Sequence, residues 1–218
     1  MEPIIISPKE ENKFVEKLLE KIDSEFESEQ VPVKIEKYSE PLNCFGNVDK
    51  KIELDGGKVH YGWVIYQTDI LCEAERHAVW ENENEELIDI TPREIDFEEI
   101  MFVSDNNFEY KGQIIDNYRV NTTKNKVVDH FIKVCETLSK FYSLGKRKND
   151  WELEIESHIR NIIYEYEDLK SQLELYISRG GNLRTKCICG GNKNYKNCHG
   201  KTLMERIDND YKNIIKNK

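Results

Sequence analysis

The chain has 218 residues, with 32 lysines and arginines against 42 aspartates and glutamates, a formal net charge of −10, and 34 % charged against 38 % hydrophobic residues. That length suits one moderate core plus a small appended module. The acidic balance excludes nucleic-acid binding over the whole surface and leaves room only for a local basic patch. No apolar run approaches the roughly 20 residues of a membrane span. Residues 1–7 read as a short strand-like piece without the charged region or cleavage site of a secretory signal, so a cytoplasmic location is expected.

In chain order, Ser7-Pro8-Lys9-Glu10 has the form of a capping box with proline at the first helical position. It would open a helix whose apolar face is Phe14, Val15, Leu18, Leu19, Ile22 and Phe26. Residues 31–35 alternate like a strand. Phe45, Val48 and Ile52 share a face of a second helix that should start near Cys44 and stop at Gly56-Gly57. Residues 59–66 and 70–80 predict a hairpin turning near Thr68-Asp69, and residues 86–91 and 100–103 predict further strands.

From Val127 the periodicity is helical. Val127, Val128, Phe131, Val134, Leu138 and Phe141 predict one helix ending near Gly145. A longer helix follows through Trp151, Ile155, Ile159, Ile162, Tyr166, Leu169, Leu173 and Tyr176 to Gly180-Gly181, and a last one over residues 202–216. The expected fold class is α+β: a mixed helix and antiparallel-sheet domain over 1–122, a helical hairpin over 123–182, a small metal-binding knuckle over 183–201 and a C-terminal helix over 202–218.

The knuckle is Cys187-Ile188-Cys189-Gly190-Gly191-Asn192-Lys193-Asn194-Tyr195-Lys196-Asn197-Cys198-His199-Gly200. Cys187 and Cys189 supply two ligands from one turn, and the adjacent Cys198 and His199 return the chain to the same ion. Three thiolates and an imidazole are the donor set of a closed, structural Zn2+ site. Gly190, Gly191 and Asn192 tolerate the positive φ that a tight turn around metal demands. The remaining cysteines, Cys44, Cys72 and Cys135, are widely spread and read as thiols in a reducing compartment.

This stretch resembles the SEC-C motif, Cys-x-Cys-Gly-Ser-Gly-Lys-Lys-Tyr-Lys-x-Cys-Cys/His. Gly191 stands for its serine, Asn192 for its second glycine and Asn194 for a lysine, and all four ligand positions match. Arg184, Lys186, Lys193, Lys196 and Lys201 surround the ligands with no acidic residue between them. They could dock an acidic protein or, less favourably, RNA, or simply offset the thiolate charge.

A second constellation lies upstream. Cys44 sits at a helix start, where unpaired amides favour a thiolate, His77 on a strand, and Asp89 on the next. A thiol nucleophile needs an imidazole to take its proton and a carboxylate to fix that imidazole's tautomer. The arrangement resembles the transglutaminase-like branch of the papain-type cysteine enzymes, in which the cysteine opens a helix, Ala and Trp follow the histidine, and the aspartate precedes a Thr. That likeness implies a thiol hydrolase or acyl transferase using Cys44, His77 and Asp89, with Asn43 or Asn47 near the oxyanion. Here Val79 displaces Trp80 by one place from the family's His-Ala-Trp. The layout is also similar to bacterial SEC-C proteins sharing Gly62-Trp63, Glu73-Ala74-Glu75, His77-Ala78-Val79-Trp80 and Asp89-x-Thr91-Pro92. Two further readings stay open: His77 and Asp89 as a satisfied core pair, and Glu73, Glu75 and His77, on one strand face, as ligands of a divalent ion. A non-enzymatic adaptor docking through the basic knuckle is the rival function.

Overall fold

The computed structural model describes residues 4–148 and 152–216. They form five α-helices and an antiparallel sheet, divided into two compact units: the chain to Lys111 with Asn117–Thr122, and Gly112–Asp116 with the chain from Thr123.

The first unit comprises α1 (Lys13–Ile22), β1 (Ser28–Pro32), α2 (Cys44–Asp55), β2 (Lys58–Gln67), β3 (Leu71–Glu81), β4 (Leu87–Ile88), β5 (Glu99–Ser104) and β6 (Tyr118–Asn121). The strands order β1-β5-β2-β3-β4, with β6 also on β3. The β2–β3 hairpin is the centre, and its turn is locked by Thr68, whose N–H donates to Leu71 O at 2.8 Å and whose hydroxyl accepts from Leu71 N at 3.0 Å. Alternation sorts the side chains into two layers. Val31, Val64, Val79, Ile100 and Phe102 form the inner cluster, while Ala78, Ile88 and Ile90 pack outward with Val48 of α2.

The sheet curls until its two ends meet. Just past β1 and β4, Val33 and Asp89 form a parallel bridge, with Lys34 N donating to Asp89 O at 2.8 Å and Asp89 N to Pro32 O at 3.0 Å. Pro32 has no N–H with which to continue this ladder toward Leu87. There the strands part around a cleft of about 360 Å³ lined by Glu29, Val31, Pro32, Lys34, Glu86 and Leu87. On β3, β6 covers Leu71 to Ala74 and β4 covers Trp80 and Glu81, so no described strand pairs with residues 75–79 on that side. His77 stands in this gap, opposite Gly62 of β2. A Cβ at Gly62 would lie 2.3 Å from both Phe102 Cζ and Val103 O, so only glycine lets Phe102 cross there. Elsewhere in the inner layer His60 joins Glu81 (Nδ1 to Oε2, 2.9 Å) to Ser104 (Nε2 to Oγ, 2.8 Å).

Several local expectations change. Helix α1 starts five residues after Pro8, capped by Asn12, whose Oδ1 accepts from Phe14 N at 2.9 Å. Ser7 caps no helix. It is buried, accepting from Met101 N at 2.7 Å and donating to Ile65 O at 3.2 Å, so a partner from distant strands outcompeted the local one. Helix α1 ends with Asp23 in left-handed conformation, which leaves Phe26 outside it. Of the strand expected over 86–91 only Leu87–Ile88 pairs regularly, and β6 was not foreseen.

The second unit comprises α3 (Lys126–Tyr142), the short pair β7 (Lys146–Arg147) and β8 (Leu153–Glu154), α4 (Ser157–Ser178) and α5 (His199–Lys216). Helix α4 starts later than expected because Leu153–Glu154 is extended and paired, with Leu153 and Ile155 side chains packed against Gly145. Trp151 and Asn149 lie outside the described residues. Helix α3 packs against both α4 and α5, so three helices share the core where a pair was expected. Phe141 meets Tyr166 edge-on at 5.1 Å, and Tyr166 donates to Asp210 at 3.0 Å. No helix among the described residues is long and apolar enough to cross a membrane.

Candidate functional site

The C-terminal ligand set is assembled by a tight hairpin and the first residue of α5. Lys186 and Asn194 bridge antiparallel, Cys187 N donates to Lys193 O at 3.0 Å, and Gly190 N returns to Cys187 O at 2.9 Å. Of the three residues expected to accept positive φ, only Gly190 uses it, at φ 72°. His199 opens α5 three residues before the expected helix start and so carries the fourth ligand on a rigid element. The donor atoms of Cys187, Cys189, Cys198 and His199 all lie within 4.8 Å of one another. Cys189 Sγ is 3.7 Å from Cys198 Sγ, and His199 Nδ1 is 3.2 Å from Cys187 Sγ and 3.5 Å from Cys198 Sγ. Tetrahedral coordination with thiolate and imidazole bonds near 2.3 and 2.1 Å requires edges of roughly 3.6–3.8 Å. These four side chains could therefore hold one metal ion. Burial opposes ionisation of Cys187, but the backbone amides of Cys189 and His199, aided by the His199 and Cys198 side chains, bring its pKa down to about 6.

The knuckle has a buried anchor of its own. Tyr195 is fully buried, stacks on Tyr176 at 5.5 Å and shares a 3.0 Å hydrogen bond with His130 Nδ1. Its ring leaves no space for a Cβ at Gly200, which would lie 2.5 Å away. An Asn-Tyr-Lys sequence in a polar loop gave no hint of this anchor. Arg184, Lys186, Lys193, Lys196 and Lys201 are exposed, and none of them makes an ion pair.

In the first unit, Cys44 is the first residue of α2, as its sequence setting predicts. Two positions before it, Leu42 is 92 % exposed and sits in left-handed backbone at φ 61°, a strained conformation for a branched residue. His77 and Asp89 are buried and meet at 3.0 Å, Nε2 to Oδ1. Cys44 is near enough to the His77 imidazole to act on its charge. Since Nε2 faces the carboxylate, Nδ1 is the nitrogen left for the sulfur. Burial works against a charged His77, but Asp89 and then Cys44 overcome it and push its pKa up to about 10. For Asp89, burial would raise the pKa, yet His77 and Arg93 hold it below the usual carboxylate range.

Arg93 is the residue that sequence reasoning missed. Its Nη1 lies 2.5 Å from Asp89 Oδ2 and 2.8 Å from Thr91 O, Nη2 lies 3.0 Å from His77 Nε2, and Nε donates to the Tyr66 hydroxyl. Thr91 N also donates to Asp89 Oδ1 at 3.1 Å. Nε2 cannot donate to Asp89 and accept from Arg93 at once. The carboxylate, flanked by two cations, sets the proton on Nε2. The only sequence trace of Arg93 is its spacing of four from Asp89, just after Pro92. Asn47 has a different task from the oxyanion role considered for it: it ties a loop, donating to Glu40 O at 2.9 Å and Thr91 Oγ1 at 3.3 Å and accepting from Glu40 N at 2.9 Å. Asn43 caps α2 without a side-chain capping bond.

Glu73, Glu75 and His77 do not converge on a metal. Glu73 binds Arg119 Nε and Asn117 Nδ2, each at 2.9 Å, while His77 faces Asp89. The C-terminal four are the only described residues whose donor atoms gather as a metal site would require. All six cysteines are free. No family model, curated protein or solved structure matches this chain, and the resemblances rest on the residues quoted for them.

Proposed function

We propose that the first unit is a thiol-dependent acyl-transfer enzyme and that the second carries a structural zinc knuckle of the SEC-C kind. The observation that carries the enzymatic reading is the buried His77–Asp89 pair at 3.0 Å, with Cys44 at the start of α2 near enough to act on the charge of the same imidazole. In this reading His77 already holds on Nδ1 the proton that Cys44 gives up, and the thiolate sulfur attacks an amide or ester carbonyl. The tetrahedral species collapses to a thioester, and His77 returns the proton to the departing amine or alcohol. Water or a second nucleophile then attacks the thioester, giving a proton to His77 that passes back to the released sulfur. Asp89 orients His77 and stabilises its charged form. Unpaired amides at the start of α2 are suited to the oxyanion. Free cysteines throughout fit a reducing compartment such as the cytoplasm.

Zinc is the ion proposed for Cys187, Cys189, Cys198 and His199, because three soft sulfurs and an imidazole at tetrahedral separations select it over harder cations. Its role is structural, since four protein ligands leave no open position. The test of the enzymatic reading is a mass-spectrometric search for an acyl adduct after incubation with activated esters and thioesters. Acylation of the Cys44 peptide, lost in His77→Ala, supports it, and a panel that never acylates Cys44 refutes it.

One observation favours a second reading: five exposed cations around the knuckle without acidic partners, in a chain of net charge −10. An adaptor that docks an acidic protein through this patch would lose binding on charge reversal at Lys193 and Lys196 and keep it in Cys44→Ala.

A further inference from the structure

The charges around His77 pair off, with one exception. Glu73 is held by Arg119 at 2.9 Å, and Asp89 by His77 at 3.0 Å and Arg93 at 2.5 Å. Glu75 lies two residues before His77 on β3, so it shares the inner face of the strand with that imidazole, opposite Val64. It stands in the stretch of β3 that no described strand covers on the side of the gap. Among the described residues its carboxylate has no hydrogen-bond or ion-pair partner, and the nearby cations His77, Arg93 and Arg119 are already held. A carboxylate in such a setting is costly to keep charged. Consistently, burial raises the Glu75 pKa, with nearby Glu73 adding to it and His77, Arg93 and Arg119 only partly opposing. Unlike His77 and Asp89, Glu75 keeps some solvent exposure, so a bound group can reach it.

We infer that Glu75 is a specificity residue whose unpaired carboxylate receives a cationic group of the substrate, an ammonium or guanidinium, beside the carbonyl presented to Cys44. The inference rests on the thiol reading above and names the substrate class it leaves open. An anionic substrate would meet an unpaired carboxylate and no free cation at this position. A neutral one would leave Glu75 as it stands.

The experiment uses the full chain and methanethiosulfonate reagents of equal reach, one carrying an ammonium and one a sulfonate, with the Cys44 adduct followed by mass spectrometry. The measured quantity is the ratio of cationic to anionic modification rates. Its references are the same ratio in Glu75→Gln, which removes the charge at nearly constant volume, and in the unfolded wild-type chain. One unit charge lining a partly solvated site changes the cation-to-anion ratio by roughly tenfold or more. The expected result is a wild-type ratio at least that far above both references. A native ratio equal to that of the unfolded chain, with Cys44 still modified, overturns the assignment of Glu75 and leaves the thiol reading standing, even if Glu75→Gln does not fold. Failure of both reagents to modify native Cys44 overturns both together.

Discussion

Asp89→Asn isolates the electrostatics on which the site depends. Asp89 is 0 % exposed and takes the His77 ring at 3.0 Å, the Arg93 guanidinium at 2.5 Å and the Thr91 amide at 3.1 Å. An amide keeps the shape and loses the charge, leaving a buried and a half-buried cation facing a neutral group. Removing one partner of a buried pair costs about 3–5 kcal/mol. The pKa of His77 points the same way: burial lowers it, but Asp89 and Cys44 outweigh burial and raise it from 6.5 to about 10, so the fold favours the charged ring. The sign follows from the raised value: this stabilisation is complete below pH 6.5 and disappears as pH climbs toward 10. Asp89 contributes in the opposite sense, being held below its ordinary 3.8, so its share is present above that value and lost in stronger acid. Urea unfolding of wild type and Asp89→Asn at closely spaced pH values is the assay. The variant should lose about 3 kcal/mol or more near neutrality and lack most of the wild-type decline between pH 7 and 10. A loss under about 1 kcal/mol, with the alkaline decline intact, refutes the reasoning.

Other perturbations probe separate links. Arg93→Met removes a cation beside the imidazole while leaving Asp89 to it, so the His77 ring, followed by NMR, should titrate at higher pH than in wild type; a downward move contradicts the placement of Arg93. Gly200→Ala must drive its Cβ into the Tyr195 ring, 2.5 Å away, and should lower stability by about 1–3 kcal/mol in thermal unfolding. Leu42→Gly relieves a left-handed residue with an exposed side chain and should raise stability by up to about 1 kcal/mol; a comparable loss contradicts the strain assigned there. Chelator treatment of metal-loaded protein should expose the amides of the 186–194 hairpin to hydrogen exchange before those of α3, because the ligands close the hairpin whereas Tyr195 secures only its exit.

What could be read from the sequence was what is set locally. Cys44 at a helix start, Gly56 at that helix's end, the hairpin of β2 and β3 and the Cys-x-Cys…Cys-His cluster each depend on neighbours within a dozen residues. Features decided by distant partners were hidden. Ser7 has the chemistry of a cap, yet its hydroxyl is claimed by Met101 and Ile65 of the sheet. Strand β6 has only four residues and pairs with β3 across more than forty intervening positions. Tyr195 reads as a polar-loop tyrosine until Tyr176 and His130 close on it. Arg93 has no motif at all, and its four partners lie on β2, on β3 and in the chain after β4. In the candidate site the three chemical groups were legible, and the cation that shares Asp89 with His77 was not.

The most direct measurement of the central claim is the pH dependence of Cys44 alkylation by iodoacetamide in native wild type and in His77→Ala. If His77 serves the thiol, wild-type Cys44 is alkylated several-fold faster than in the alanine variant at neutral pH. Superimposable profiles for the two proteins would contradict the account.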